Sequence, residues 1–133
     1  MSHAATPPDT SYAAMFQTVS DNYTGSIVIT GPDKTIVYAN PALLLMSGYS
    51  SAEVVGQTPA LFKSGQTPDA VYQSLGAAIA AGQIWTGEFI NRRKNGTLYL
   101  ESKTIAAIRD EQGRVQFYFA IGEDLSQRQK HQQ

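Results

Sequence analysis

Apolar residues in this chain recur first at a helical period, then at a strand period, then at each again. Tyr12, Met15, Phe16 and Val19 sit three and four apart, which predicts a short amphipathic helix closing near Ser20-Asp21-Asn22. Ser26–Thr30 is rich in β-branched residues and reads as a strand. Gly31-Pro32-Asp33-Lys34 turns the chain into a second strand, 35–39, giving a hairpin. Residues 41–47 read as a short helix. Ser50-Ser51-Ala52-Glu53 is a capping box that opens another, closed by Gly56. Thr67-Pro68 predicts a longer helix with threonine as its cap, and Val71, Leu75, Ala78 and Ile79 form its apolar stripe.

The strand period then returns. Residues 85–93 and 98–108 flank Asn95-Gly96, a strong hairpin signal. Asp110-Glu111-Gln112-Gly113 turns the chain into 115–122. Asp124-Leu125-Ser126-Gln127 resembles a cap that starts a terminal helix. The order is two strands, several short helices, then three strands, with no internal repeat. The expected organisation is a flexible start (1–10), a cap helix (11–22), a core (23–124) and the beginning of a linker helix (125–133).

Composition narrows the chemistry. A chain of 133 residues with 42% hydrophobic content suits one globular domain with a real core. A net charge of -1 gives no pull toward nucleic acid or an anionic membrane. No apolar run reaches the roughly 18 residues of a membrane span. The start MSHAATPPDT lacks a basic segment followed by an apolar run, so a cytoplasmic protein is expected. Asn22-Tyr23-Thr24 and Asn95-Gly96-Thr97 match a glycosylation tripeptide but read as turn chemistry. There is no cysteine, and both histidines, His3 and His131, lie near the ends. Nucleophile–base pairs and thiolate or imidazole metal sites are therefore missing, and the acids are dispersed. No phosphate-binding glycine phrase is present. The expectation is a binding module rather than an enzyme.

Several phrases in order resemble the PAS domain family: Ile36-Val37-Tyr38-Ala39-Asn40-Pro41, Ser47-Gly48-Tyr49-Ser50, Gly56-Gln57, Trp85-Thr86-Gly87-Glu88, Asn91-Arg92-Arg93-Lys94-Asn95-Gly96 and Glu123-Asp124-Leu125-Ser126. The resemblance covers about residues 12–127. It implies an α+β fold: a five-stranded antiparallel sheet, short helices over one face and a ligand pocket between. The stretch 85–96 is most similar to the FAD-holding redox sensors of the NifL and Aer type. By that likeness the domain holds non-covalent FAD, senses redox state or oxygen, and regulates a linked output domain in bacterial two-component or cyclic-dinucleotide signalling. Haem and metal are not expected. Two alternatives stand beside it: a ligand-free dimerisation and relay module, and a sensor of a colourless organic ligand.

Strand parity sorts the candidate pocket residues. In the last strand, Val115, Phe117, Phe119 and Ile121 share one face, and Tyr118, Ala120 and Gly122 the other. The large apolar set would fill an ordinary core, but the resemblance points the set containing Gly122 at the pocket. Asn91 matches a strand asparagine that meets a flavin's pyrimidine edge. Its amide both donates and accepts. Trp85, Gly87 and Phe89 share its face. Glu101 and Lys103 share a face with Tyr99 and Ile105; inward they pair, outward they are solvated. Ile29 and Phe62 complete the expected cofactor-binding set of Asn91, Trp85, Phe89, Glu101, Tyr118, Ala120 and Gly122.

Two departures matter. Where photoadduct-forming relatives carry a glutamine, this chain has Gly122, and it has no thiol for a flavin adduct. Where NifL-type sensors carry a first-strand serine and a later carboxylate, this chain has Val28 and Pro59. Asn40 is expected to cap the helix that Pro41 opens. A homodimer is expected through Tyr12, Met15, Phe16 and Val19, with the outer face Phe117, Phe119 and Ile121.

Overall fold

The computed structural model describes residues 9–126, with side chains from Tyr12 onward. The elements are α1 (Asp9–Asn22), β1 (Ser26–Thr30), β2 (Ile36–Ala39), α2 (Pro41–Ser47), α3 (Ser51–Val54), a 3-10 turn (Pro59–Phe62), α4 (Asp69–Ala80), β3 (Trp85–Arg92), β4 (Leu98–Arg109) and β5 (Val115–Asp124). Helix α1 begins at Asp9, inside the segment expected to be flexible. Of the expected linker helix, only Leu125 and Ser126 lie within the described residues, and both are helical.

The strands form one antiparallel sheet in the order β2-β1-β5-β4-β3. The last strand therefore lies beside the first, in the middle of the sheet. Burial alternates along β1: Ser26, Val28 and Thr30 are buried and point inward, while Ile27 and Ile29 are half-buried on the outer face. Register carries this parity across the sheet. Val28 pairs with Ala120 and Ile29 with Phe119. Ile105 pairs with Ala120 and with Trp85.

The core gathers at one end. Val28, Ile36, Ala39, Leu43, Val54 and Phe62 form a buried cluster between β1–β2 and the helices α2 and α3. Full burial of such side chains contributes about 1.5–3 kcal/mol each. Asn40 holds this end together. Its Oδ1 accepts from Leu43 N at 3.1 Å and from Ile27 N at 2.9 Å, and its Nδ2 donates to Ser20 O and Gly25 O. It thus caps α2 as expected and also ties α1 and β1 to that cap. Ser50 and Glu53 make the capping box of α3.

Helix α1 covers the outer face near β2. The Phe16 ring meets Tyr38 edge-on at 5.5 Å, and Ser20 Oγ is hydrogen-bonded to Tyr38 Oη. Tyr12, Met15 and Val19 remain exposed.

Helix α4 packs chiefly on β3. Thr67 is not its cap. The hydroxyl accepts from Ile90 N at 2.9 Å and donates to Ile90 O at 3.1 Å, so it pins the loop to β3. Pro68 takes the cap position with no side-chain bond. No residue of α4 is buried; Val71, Tyr72, Leu75, Ala78 and Ile79 are all half-buried.

Candidate functional site

The inner sheet face carries nearly all the candidate residues. Asn91, Phe89 and Trp85 of β3 are buried there, as is Glu101 of β4. Gly122 is buried on β5, with Ala120 and Tyr118 half-buried on the same face. The parity that points Gly122 inward is the observed one. Phe117 lies outward and is 42% exposed. Phe62 belongs to the core cluster, its ring meeting Tyr49 at 6.1 Å. Ile29 does not join this set. Its register with Phe119 puts it on the outer face, because adjacent strand residues point to opposite sides.

Trp85 closes the β3 edge. Its Nε1 donates to Ser74 Oγ of α4 at 3.0 Å, and its ring lies 5.4 Å from that of Phe89. The ring folds over Gly87, where an added Cβ would come within 2.3 Å of it. Tyr72 of α4 meets Phe89 at 5.5 Å, and the Lys63 ammonium sits 4.3 Å above the Tyr72 ring.

Glu101 is the hub of the polar row. It is fully buried and holds three polar partners. Ser26 Oγ donates to Oε2 at 2.8 Å, Asn91 Nδ2 donates to Oε1 at 3.1 Å, and Lys103 Nζ lies 3.6 Å from Oε1. Lys103 is itself only 8% exposed. A buried carboxylate survives when it is paired and hydrogen-bonded, and this one is both. Glu101 and Lys103 therefore face inward, which parity alone left open.

The room beside Gly122 is filled. A Cβ there would lie 2.7 Å from Glu101 Oε2 and 2.9 Å from both Ser26 Oγ and Ser102 O. The absent side chain leaves space that a carboxylate from the next strand occupies, rather than open room for a ring. Ser26 is the participant that sequence reasoning missed. The alternation Ser-x-Val-x-Thr already placed it with the inward-facing set. Ser26 and Glu101 form a serine–carboxylate pair at positions other than Val28 and Pro59.

Tyr99 adds an unmet group. It is 2% exposed, and its Oη has no hydrogen-bond partner among the described residues. Burial pushes its phenol well above the ordinary value of 10, and the Glu101 charge adds to that, while Arg93 opposes it. The Asn91 amide lies beside the hydroxyl but outside hydrogen-bond geometry. Arg93 stacks over the Tyr99 ring at 4.4 Å, donates to Met46 O and pairs with Asp124 at 3.1 Å. Asp124 in turn accepts from Ser126 N at 2.9 Å, the cap expected where β5 ends.

Away from Gly122 the inner face sets apolar side chains beside the polar row. The apolar stripe of α4 and the inner-face residues Ile105, Ala107, Tyr118 and Ala120 are all half-buried. These half-open apolar surfaces mark the candidate ligand face. Beside it stand donors on Asn91, Lys103 and Tyr99 and an acceptor on Glu101. Among the described residues no cluster of acids or histidines suited to a metal is present. No described helix is long and apolar enough to cross a membrane.

Residues 24–127 match the PAS domain family. The chain is 35% identical over 115 residues to a nitrogen fixation regulatory protein of Klebsiella oxytoca, covering 86% of this chain and 23% of that protein. It is 30% identical over 95 residues to a blue-light-activated histidine kinase of Brucella canis, covering 71% of this chain and 19% of the kinase. Its fold matches an RNA-binding light-oxygen-voltage receptor with a TM-score of 0.81 at 24% identity, over 100% of this chain and 38% of that one. The chain belongs to the PAS domain family and spans less than a quarter of these two curated relatives.

Proposed function

We propose that this PAS domain senses redox state or oxygen through a non-covalent FAD held between α4 and the inner sheet face. The observation that carries the reading is the polar row Asn91–Glu101–Lys103 standing beside half-buried apolar residues of α4 and the inner sheet face. The 35% identity with a nitrogen fixation regulatory protein supports it. A bound flavin supplies reversible electron acceptance with altered hydrogen bonding at its ring edge. The protein's own groups hold and orient that edge. Asn91 offers a donor and an acceptor, Lys103 a cationic donor, and Tyr99 a buried phenol hydroxyl. Attachment is non-covalent because the chain has no cysteine and its two histidines lie at positions 3 and 131. The same lack of a thiol rules out a light-driven cysteinyl adduct. Purified protein is expected to be yellow, absorbing near ~450 nm as free flavins do, with all colour released by acid denaturation. A colourless preparation that takes up no added FAD would overturn the reading.

One observation favours a second reading, a relay module without ligand. Glu101 already fills the space over Gly122 and is satisfied by protein groups alone. The same measurement of colour and uptake separates the two.

The exposed apolar residues Tyr12, Met15, Phe16 and Val19 on α1 and Phe117 on β5 support a proposed homodimer through this outer face. Phe119 and Ile121 lie half-buried beside Phe117. Charged residues at Val19 and Phe117 are expected to yield a monomer by light scattering, and an unchanged mass would refute the interface. The proposed output region lies beyond Asp124, in the full-length protein.

A further inference from the structure

The Glu101 side chain does something unusual for a strand residue. It reaches across its neighbouring strand to the strand beyond. Glu101 is on β4, and Ser26, which donates to it at 2.8 Å, is on β1, with β5 between them. Strands two places apart lie roughly 10 Å from each other. A glutamate spans that gap with a serine only by lying flat over the intervening strand. The residue it crosses is Gly122, where even a methyl group would sit 2.7 Å from the carboxylate. On its other side Glu101 accepts from Asn91 on β3. One carboxylate thus joins β1, β4 and β3 over the one glycine of β5 that lets it pass.

We propose that Glu101 is a strap across the sheet: it couples the ligand-facing groups Asn91 and Lys103 to β1 and to β5, the strand that leads out of the domain at Asp124. For its trigger alone this rests on the reading that a flavin lies on the candidate ligand face. Glu101 is a positioning residue here. Of its three partners, Lys103 is the most distant, at 3.6 Å, and the most accessible. A ligand that gains negative charge competes with Glu101 for that ammonium. Loss of the Lys103 contact leaves the carboxylate on its Ser26 and Asn91 bonds alone, and β1 and β5 feel the change. Ser26 pairs in register with Gly122, two residues before the Asp124 that caps the chain's exit. A shift in the strap therefore acts where β5 leaves the domain.

The strap makes a claim that needs no ligand. Ser26→Ala and Asn91→Ala, on strands with two others between them, should be energetically coupled. In urea unfolding of the full chain, the double variant's unfolding constant should depart from the product of the singles by about threefold or more. That coupling should vanish in a Glu101→Asp background, because the shorter side chain keeps the charge but cannot cross β5. Gly122→Ala should abolish it too, by pushing the carboxylate aside. Additive effects in the native background overturn the strap. If a double variant does not fold, amide exchange of Ser26–Thr30 in Asn91→Ser decides instead. Faster exchange in β1 supports the strap, and unchanged exchange refutes it. In yellow protein, reduction with dithionite should alter β1 and β5 exchange in the native chain and not in Glu101→Asp; persistence of the change in Glu101→Asp overturns the proposal. Colourless protein with intact coupling sinks the flavin reading and leaves the strap standing. Yellow protein with additive variants does the reverse.

Discussion

At the β1–β2 end of the sheet, Ile36, Leu43 and Val54 are completely buried beneath α2 and α3. At the other end, no residue of α4 is buried over β3, although its stripe of Val71, Leu75, Ala78 and Ile79 is just as apolar. The two ends are built from similar side chains and differ in closure. The closed end is held by directed bonds. Asn40 fixes α1, β1 and α2 to one point, and a capping box starts α3. At the open end, the side-chain hydrogen bonds that tie α4 itself among the described residues are Trp85 to Ser74 and Arg109 to the Ile79 carbonyl, while Ser64 and Thr67 fix the loop before it to β3. A sensor needs that division. One end supplies the stability that lets the other stay half-open, since ligand-binding elements are drawn from the less stable parts of a fold.

The largest effect should come from testing closure itself. Leu43→Ala removes a fully buried side chain and should cost about 2–5 kcal/mol in urea unfolding. Leu75→Ala, with the same chemistry on half-buried α4, should cost ~1 kcal/mol. Equal losses at the two sites would mean that α4 is as tightly packed as α2, and the contrast would be gone.

Next comes the bonding of the closed end. Asn40→Ala strips partners from Leu43 N, Ile27 N, Ser20 O and Gly25 O together. A loss of about 2–3 kcal/mol is expected, more than a lone cap would give. A loss of only a few tenths would show that these contacts do not organise the end. On the open side, Ser74→Ala leaves the Trp85 indole N–H without its partner. About 1 kcal/mol of global stability should go, with faster amide exchange along α4 and none in α2. Accelerated exchange in both helices would join the two ends into one unit.

Much of this was legible in the sequence, and what was not follows a pattern. Helices α2 and α3 and the three hairpins came from period, caps and turns, which act over a few residues, whereas the inward set of β5 came from the resemblance to the PAS family. The Asn40 cap was legible for the same reason, although its bonds to Ser20 and Gly25 were not. The failures are side chains whose partners come from distant strands. Thr67 looked like a cap because Pro68 follows it, but a strand backbone 23 residues away, at Ile90, claims its hydroxyl. Ile29 was assigned to the wrong face, although its alternation with Ser26 and Val28 held the answer. Whether Glu101 and Lys103 faced inward depended on a partner 75 residues earlier in the chain, Ser26. No local signal encodes such a pairing. The filling of the space over Gly122 was illegible for the same reason, since the carboxylate that fills it belongs to β4.

The smallest effect on stability is the most diagnostic of the polar row between the two ends. Tyr99 Oη is buried without a partner, so the hydroxyl contributes no bond to the ligand-free fold. Tyr99→Phe should cost no stability near pH 7 and should leave it unchanged or raised by up to about 1 kcal/mol, since deleting an unbonded buried hydroxyl removes its desolvation penalty. The alkaline limb should change more. The folded state holds this phenol above its ordinary value of 10, by burial first and the Glu101 charge second. Stability present below pH 10 is therefore lost as pH rises beyond it, and Tyr99→Phe should flatten that decline in unfolding measured from pH 9 upward. Ligand reverses the balance. If the hydroxyl donates to an acceptor on the bound ring, the phenylalanine variant should bind FAD about 2- to 12-fold more weakly, the worth of one hydrogen bond. Unchanged affinity together with a flattened alkaline limb would make Tyr99 a buried spectator and move the ligand's polar edge toward Lys103. A large loss of stability at pH 7 would mean that the hydroxyl already has a partner in the free protein, and the polar row would then belong to the closed end.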